Sequence, residues 1–211
     1  MIKNTFNNLK PDKKKMILEK SIQVLCNTSA TSIKVSDIIN ATGISRGSFY
    51  QYFDTPVDIF LAIIEELQTE NIEIMKQIIK EEKGDFFSTF KRMFEFQYVN
   101  LLKKENEHIM LMLKKSNELI IKNQIFKVND TYCSKKFMHK FDLEKLNINT
   151  YFEFNKLYIL VTDIMGHNIL NGIMQNLTLE KALEDYLIQL DFIKYGVIKR
   201  EENHEEKSFK Q

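Results

Sequence analysis

Residues 35–53 read VSDIINATGISRGSFYQYF. Val35, Ile38 and Ile39 fall at helical spacing, which predicts a short helix over 35–42. Gly43 follows it, the residue type that most readily ends a helix in the left-handed conformation. Ile44 is an apolar plug for the angle of the turn. Ser45 is placed to cap another short helix, Arg46 to Tyr52, by accepting bonds from its free first-turn amides. Two short helices at a tight glycine turn have the grammar of a helix-turn-helix. Its physical use is to hold one short helix proud of the surface. Such a helix fits the major groove, where each base pair shows its own donor and acceptor pattern.

Outward from this stretch the chain stays helical. On the N-terminal side, residues 12–27 carry Met16, Ile17, Ile22, Val24 and Leu25 with lysines between them, and Pro11 opens the run. NTSATS at 27–32 is a loop by composition. On the C-terminal side, Thr55 is a cap and Pro56 a first-turn residue for a helix reaching Glu82. Gly84 ends that helix and Asp85 caps the next, over 86–103. Further helices are expected over 106–114, 117–139, 150–173 and 179–198, with a polar connection at 142–149 and Thr178 as the last cap. The expected fold is all-α, with about nine helices: a three-helix head and a larger helical body.

Composition agrees. The chain has 211 residues, and its hydrophobic fraction of 44% suits a globular protein. Six glycines and two prolines leave little for turns, which argues against a β-sandwich, a barrel or glycine-rich phosphate loops. Cys26 and Cys133 form no CxxC pair, so no disulfide framework or zinc ribbon is indicated. The N-terminus, MIKNTFNNLK, lacks the apolar run of a signal peptide, and no stretch approaches the ~20 apolar residues of a membrane helix. A cytoplasmic protein without membrane contact is expected. The net charge of +1 divides unevenly. Residues 1–53 hold eight Lys/Arg against three Asp/Glu, and the remainder is mildly acidic. A basic head suits a polyanionic partner.

Residues 43–53, GISRGSFYQYF, resemble the recognition-helix signature of TetR-family transcriptional regulators, G-V-S-[KR]-G-[ST]-[LF]-Y-x-[YH]-F, without gaps. The resemblance covers roughly 10–62; beyond that it rests on architecture and length. It implies a DNA-binding head at 1–53, a ligand-binding and dimerisation body at 54–205, and a frayed tail at 206–211. It implies a homodimer that binds a near-palindromic duplex operator, a repressor released by a small-molecule effector. By position, Ser45, Arg46, Gly47 and Ser48 open the recognition helix beside phosphates and bases. Gln51 would read a base, Tyr50 and Tyr52 would offer hydroxyls to phosphates, and Phe49 and Phe53 would point inward. Lys34, Ser36 and Thr55 are further DNA contacts. The sequence departs from the family at Ile39, where a small residue is usual, at Lys34, where a Thr often caps, and at Pro56, where a phosphate-contacting lysine is frequent.

The body offers two more readings. Phe90, Met93, Phe94, Gln97, Met110, Tyr132 and Tyr158 are candidates for an effector pocket, against ordinary core packing of aromatics. The last two helices are apolar over wide arcs, so they need cover on two sides. Phe154, Val161 and Met165 of one, and Leu183, Tyr186, Leu187 and Leu190 of the other, are candidates for a twofold interface, with Gly166 and Gly172 permitting close approach. Asp163 and His167 lie one turn apart, but no further ligand at a recognised spacing accompanies them or His108 and His139, so no metal is expected. No P-loop, GxGxxG or nucleophile constellation can be placed, so neither an enzyme nor a cofactor is expected. The rival reading is a helical ligand carrier or protein-interaction adapter that kept the fold without DNA binding.

Overall fold

The computed structural model describes residues 1–123 and 135–196, and side chains of all of these except 121–123. Among the described residues the fold is all-α, with one isolated backbone bridge, Ile2 to Phe53. The head comprises α1 (Asn4–Asn7), α2 (Pro11–Leu25), α3 (Val35–Thr42) and α4 (Arg46–Tyr52). The body begins with α5 (Val57–Glu81) and continues through α6 (Phe86–Leu102), α7 (Glu107–Lys115) and α8 (Asn117–Asn123). It closes with α9 (Tyr151–Gln175) and α10 (Leu179–Tyr195).

Local chemistry sets most boundaries. Ser48 N–H donates to Ser45 Oγ at 3.0 Å, and Ser88 N–H to Asp85 Oδ1 at 2.8 Å. Thr150 and Glu153 form a reciprocal capping box at the start of α9: Glu153 N–H donates to Thr150 Oγ1, and Thr150 N–H to Glu153 Oε2. Gly43, at φ +73°, stops α3 and makes the turn into α4.

Several boundaries differ from expectation. Thr55 does not cap α5. No side chain caps it; Asp58, the second residue of that helix, reaches back to the segment before it, where its carboxylate accepts from Asp54 N–H at 3.0 Å and Thr55 N–H at 2.8 Å. A carboxylate in the first turn is favoured by the positive end of the helix, and its bonds to amides are charge-assisted. The helix expected over 117–139 is described at its start, as α8, while 124–134 lie outside the described residues. Met138–Lys140 is a 3₁₀ turn. The connection at 142–149 contains another, Leu143–Lys145, and is anchored by buried Phe141 and half-buried Leu146 and Ile148. The short α1 was not legible as a helix.

The core of the body is aromatic. Phe86, Phe90, Phe141, Phe154 and Tyr158 form one connected group of rings. Phe94 lies stacked against Tyr98 and Tyr186, with centroids 5.7 and 4.6 Å away. Tyr98 donates its hydroxyl to Leu177 O at 2.8 Å, bridging α6 to the turn after α9. Gly172 makes room for that ring, since a Cβ there would sit 2.7 Å from it. The close approach at Gly172 is therefore within the subunit.

Tyr186 is fully buried and its hydroxyl has no hydrogen-bond partner among the described residues. An orphaned hydroxyl carries its desolvation cost uncompensated. Tyr186→Phe should therefore leave stability unchanged or raise it by about 1 kcal/mol. Gly172→Ala should lower it by about 2 kcal/mol through the clash with Tyr98. Urea unfolding of the three proteins checks both.

Candidate nucleic-acid interface and effector cavity

Helix α4 presents two faces. Phe49 and Phe53 are fully buried, with ring centroids 5.5 Å apart. Arg46, Gly47, Tyr50 and Gln51 are exposed. Ser45 and Ser48 sit at the N-terminal end with their hydroxyl oxygens 2.9 Å apart, so each is oriented by the other. Arg46 makes no ion pair among the described residues, which leaves its guanidinium available. Lys34 and Ser36 are exposed at the start of α3, and Thr55 is exposed beyond α4.

Tyr52 is placed differently from the others. Its side chain is only 6% exposed, with its ring packed against Phe6 and Phe53 and with Lys13 Nζ 5.8 Å from its centroid. Its position is that of a core residue of the head first, so any contact it makes with DNA is confined to its hydroxyl edge.

The ring under which Tyr52 is buried belongs to a segment that sequence reasoning missed. Residues 1–6 run back along the end of α4 as a strap. Lys3 Nζ donates to Tyr50 O at 2.7 Å, Thr5 Oγ1 to Gln51 O, and Lys3 N–H to Tyr52 O at 2.9 Å. These are carbonyls that a helix C-terminus leaves without intrahelical partners. Phe6 is fully buried, 4.7 Å from the Phe53 ring. Lys3 also pairs with Asp54 at 2.8 Å, and the Met1 amino group donates to Asp58 Oδ2 at 2.6 Å. The available signal was Ile2 and Phe6, the apolar residues of an otherwise polar stretch.

Asp58 joins this strap to the first turn of α5. Burial works against its charge, but the Met1 ammonium and the Thr55 and Asp54 amides outweigh it and hold the carboxyl below its usual range. Three ties then connect the rest of the head to the body. Lys14 of α2 bonds Glu66 of α5 at 2.5 Å. Ala30 N–H donates to the buried Ser116 Oγ, at the end of α7, at 3.0 Å. Cys26 Sγ also reaches His108 O at 3.1 Å.

A cavity of about 530 Å³ lies in the body. Its walls come from α5, α6, α7 and α9, with Lys136 and Phe137 closing part of it. Ile64, Met75, Phe90, Met93, Leu113, Phe137, Tyr158, Met165, Ile169 and Ile173 are buried lining residues and make an apolar floor. Glu65, Gln68, Asn71, Gln97, Asn100 and Asn106 are half-buried lining residues, and Thr69 and Glu70 are exposed. This volume and this division suit a drug-sized molecule.

The other side of α9 and α10 faces outward. Phe152, Leu160, Ile188, Phe192 and Tyr195 are between 47% and 67% exposed. On α10, Ile188, Phe192 and Tyr195 fall at i, i+4 and i+7 and share a face. Asn168 and Gln189 exchange side-chain amide bonds of 3.2 and 3.3 Å, clipping the two helices together.

Residues 85–197, more than half of the chain, match the family model described as Tetracyclin repressor-like, C-terminal domain. The chain belongs to the TetR family of transcriptional regulators. Among solved structures, it is similar to the fatty acid degradation regulator FadR from Bacillus halodurans, with a TM-score of 0.59 and 16% identity over 92% of this chain and 100% of that one. It is also similar to a TetR transcriptional regulator from Rhodococcus sp. RHA1, with a TM-score of 0.52 and 12% identity over 88% and 97% of the two chains. At these identities the likeness is one of fold. No curated protein matches the sequence significantly.

Within this TetR-family chain, Phe90, Met93, Gln97 and Tyr158 of the expected pocket do line the cavity. Phe94 and Met110 do not: Phe94 is stacked between Tyr98 and Tyr186, and α7 turns Ile109 and Leu113 to the cavity instead. Tyr132 lies outside the described residues. The expected interface residues also need correction. Phe154, Val161, Met165, Tyr186 and Leu190 are buried in the subunit's own core, and Leu183 and Leu187 pack against it half-buried. The reason is that α6 covers that side of α9 and α10, with Phe94 against Tyr186 and Phe86 against Phe154. The apolar residues left over are those of the outward face. Among the described residues no cluster of three or more His, Cys, Asp or Glu is placed to hold a metal ion. Among those residues no helix is long and apolar enough to cross a membrane.

Asp58→Asn should loosen the strap. With the carboxyl depressed in the folded state, its stabilisation is complete above the ordinary value of 3.8 and is lost as pH falls through the lower folded value. The variant should therefore be less stable than the parent by about 1 kcal/mol at neutral pH. The two should converge in acid below the ordinary carboxylate range. Unfolding midpoints measured across pH check both statements.

Proposed function

We propose that the protein is a ligand-responsive, DNA-binding transcriptional regulator that works as a homodimer. The observation that carries this is the exposed face of α4. Arg46, Gly47, Tyr50 and Gln51 stand clear of the surface on a helix whose other face is locked by Phe49 and Phe53. Gln51 has the donor and acceptor pair that matches adenine, and Arg46 the fork that matches guanine or phosphate. Lys34, Ser36 and Thr55 flank that face as backbone contacts, and Ser45 and Ser48 mark its N-terminal end. Tyr52 contributes through the packing of its ring and the reach of its hydroxyl.

We divide the chain at 53 into a DNA-binding head and a regulatory body. In a dimer, two heads meet successive major grooves about 34–36 Å apart on a near-palindrome. The outward face of α9 and α10 supplies the twofold contact, as a second copy would cover Phe152, Leu160, Ile188 and Phe192 with their own equivalents. The effector enters the cavity between α5, α6, α7 and α9. Helix α2 packs on both α5 and α7, and each of those two helices lines the cavity. A ligand that fits better when they are displaced changes the spacing of the heads and releases the operator, which is the action of a repressor. Only that difference in affinity can shift the balance.

Selection from random duplex DNA at about 150 mM salt should enrich an inverted repeat. Arg46→Ala combined with Gln51→Ala should weaken binding to the selected site by about 100-fold or more. Tyr52→Phe tests the hydroxyl without removing the ring. No enrichment from a folded dimer, or full affinity in the double variant, would reject the placement of the interface. Ile188→Asp with Phe192→Asp should give a folded monomer with intact helicity, measured by sedimentation. A dimer surviving both substitutions would place the twofold elsewhere.

A further inference from the structure

Resting on the cavity reading above, we infer that the effector is a lipophilic cation: an apolar body in the cavity floor and a positively charged group set against Glu65. The floor is deep and carries no charge. Met93, Phe137, Ile169 and Ile173 are all at most 6% exposed and line it. The charges belong to the mouth, where Glu65 and Glu70 of α5 face a single lining cation, Lys136, among the described residues. Lys136 stands in the field of Glu73, whose carboxyl it helps to keep ionised.

Glu65 is the residue that asks for a partner. It is half-buried, and its side chain makes no hydrogen bond or ion pair among the described residues. Burial pushes its carboxyl above the usual range, and only the charge of Lys14 opposes this. Lys14 spends its bond on the neighbouring Glu66. A partly desolvated carboxylate without a bonded cation is a costly arrangement that a cationic ligand would offset. An anionic amphiphile would instead meet two carboxylates against the one ammonium of Lys136.

The same geometry gives the ligand a direction of control. Lys14 belongs to the head and is attracted by both Glu65 and Glu66. A cation seated at Glu65 repels Lys14 and weakens the tie that holds α2 to α5. Ligand binding and head release thus share one charge pair.

The test compares decyltrimethylammonium, decanoate and decanol, each below its aggregation limit, by calorimetry on the full-length protein. The ammonium should bind at least about tenfold more tightly than the carboxylate of equal chain length. Glu65→Gln should remove that margin while leaving decanol affinity in place. Ile169→Trp, which fills the floor, should weaken all three. If decanoate binds more tightly, or the ammonium's advantage survives Glu65→Gln, the cationic assignment is overturned. If none of the three binds, or Ile169→Trp leaves binding unchanged, the cavity is not their site, and the effector reading beneath it falls as well.

Discussion

Helix α4 has seven residues, too few to hold a helical conformation in water by themselves. Everything proposed about DNA depends on its being rigid. Its N-terminal end is held by the Ser45 cap, its inner face by Phe49 and Phe53, and its C-terminal carbonyls by the strap. The strap does more than satisfy Tyr50, Gln51 and Tyr52. It brings Phe6 over the Tyr52 ring, and it shares Asp54 and Asp58 with the start of α5. Helix α4 and the first turn of α5 are therefore parts of one hydrogen-bonded knot. A displacement of α5 is passed to α4 through charged and backbone contacts of short length, not through a loose linker.

That knot explains why the cavity is well positioned for control. Its walls include α5 and α7, and α2 rests on both. Beside the packing of α2 on those two helices, the hydrogen bonds from α2 and the loop after it to the body are single: Lys14 to Glu66, Ala30 to Ser116, Cys26 to His108. A polar tie can be exchanged for another at small net cost, whereas unpacking an aromatic core costs several kcal/mol. The aromatic stacks lie elsewhere, between α6, α9 and α10. The body thus has a stiff side that carries the outward apolar face and an adjustable side that carries the head.

The sequence made the head legible because its information is local. Glycine at the turn, serine at the cap and phenylalanines at helical spacing specify the helix-turn-helix within a few residues of one another. The strap escaped because its reason for being ordered lies about fifty residues downstream, in carbonyls that no pattern in MIKNTF announces. Thr55 and Asp58 are a related case. Both are residue types favoured at helix starts, and only the folded backbone brings the Asp54 and Thr55 amides to the Asp58 carboxylate. In the body, periodicity identified α9 and α10 as apolar on two sides, yet it could not say which side meets α6. Phe154 and Tyr186 look no different in sequence from Phe152 and Phe192, but the first pair is buried and the second exposed. Four of the cavity residues were found because α6 turns Phe90, Met93 and Gln97 to one side and Tyr158 of α9 faces them. The α5 contribution was missed because polar residues such as Glu65, Gln68 and Asn71 at helical spacing carry no pocket signal of their own.

The polar residues in the middle of α5 border the cavity. A helix of 25 residues that only bridged head and body would gain most from apolar residues along its whole inner stripe. Instead α5 is buried at its start, with Ile59, Phe60, Ile63 and Ile64, and again at Met75, Ile78 and Ile79, while none of residues 65–74 is buried and half-buried Leu67 and Ile72 line the cavity among Glu65, Gln68 and Asn71. The middle turns consequently have less packing to hold them than either end. A ligand seated there adds contacts where the helix has fewest. It can then change the position of the turns around Glu66 without disturbing the ends that anchor α5 to the head and to the aromatic core.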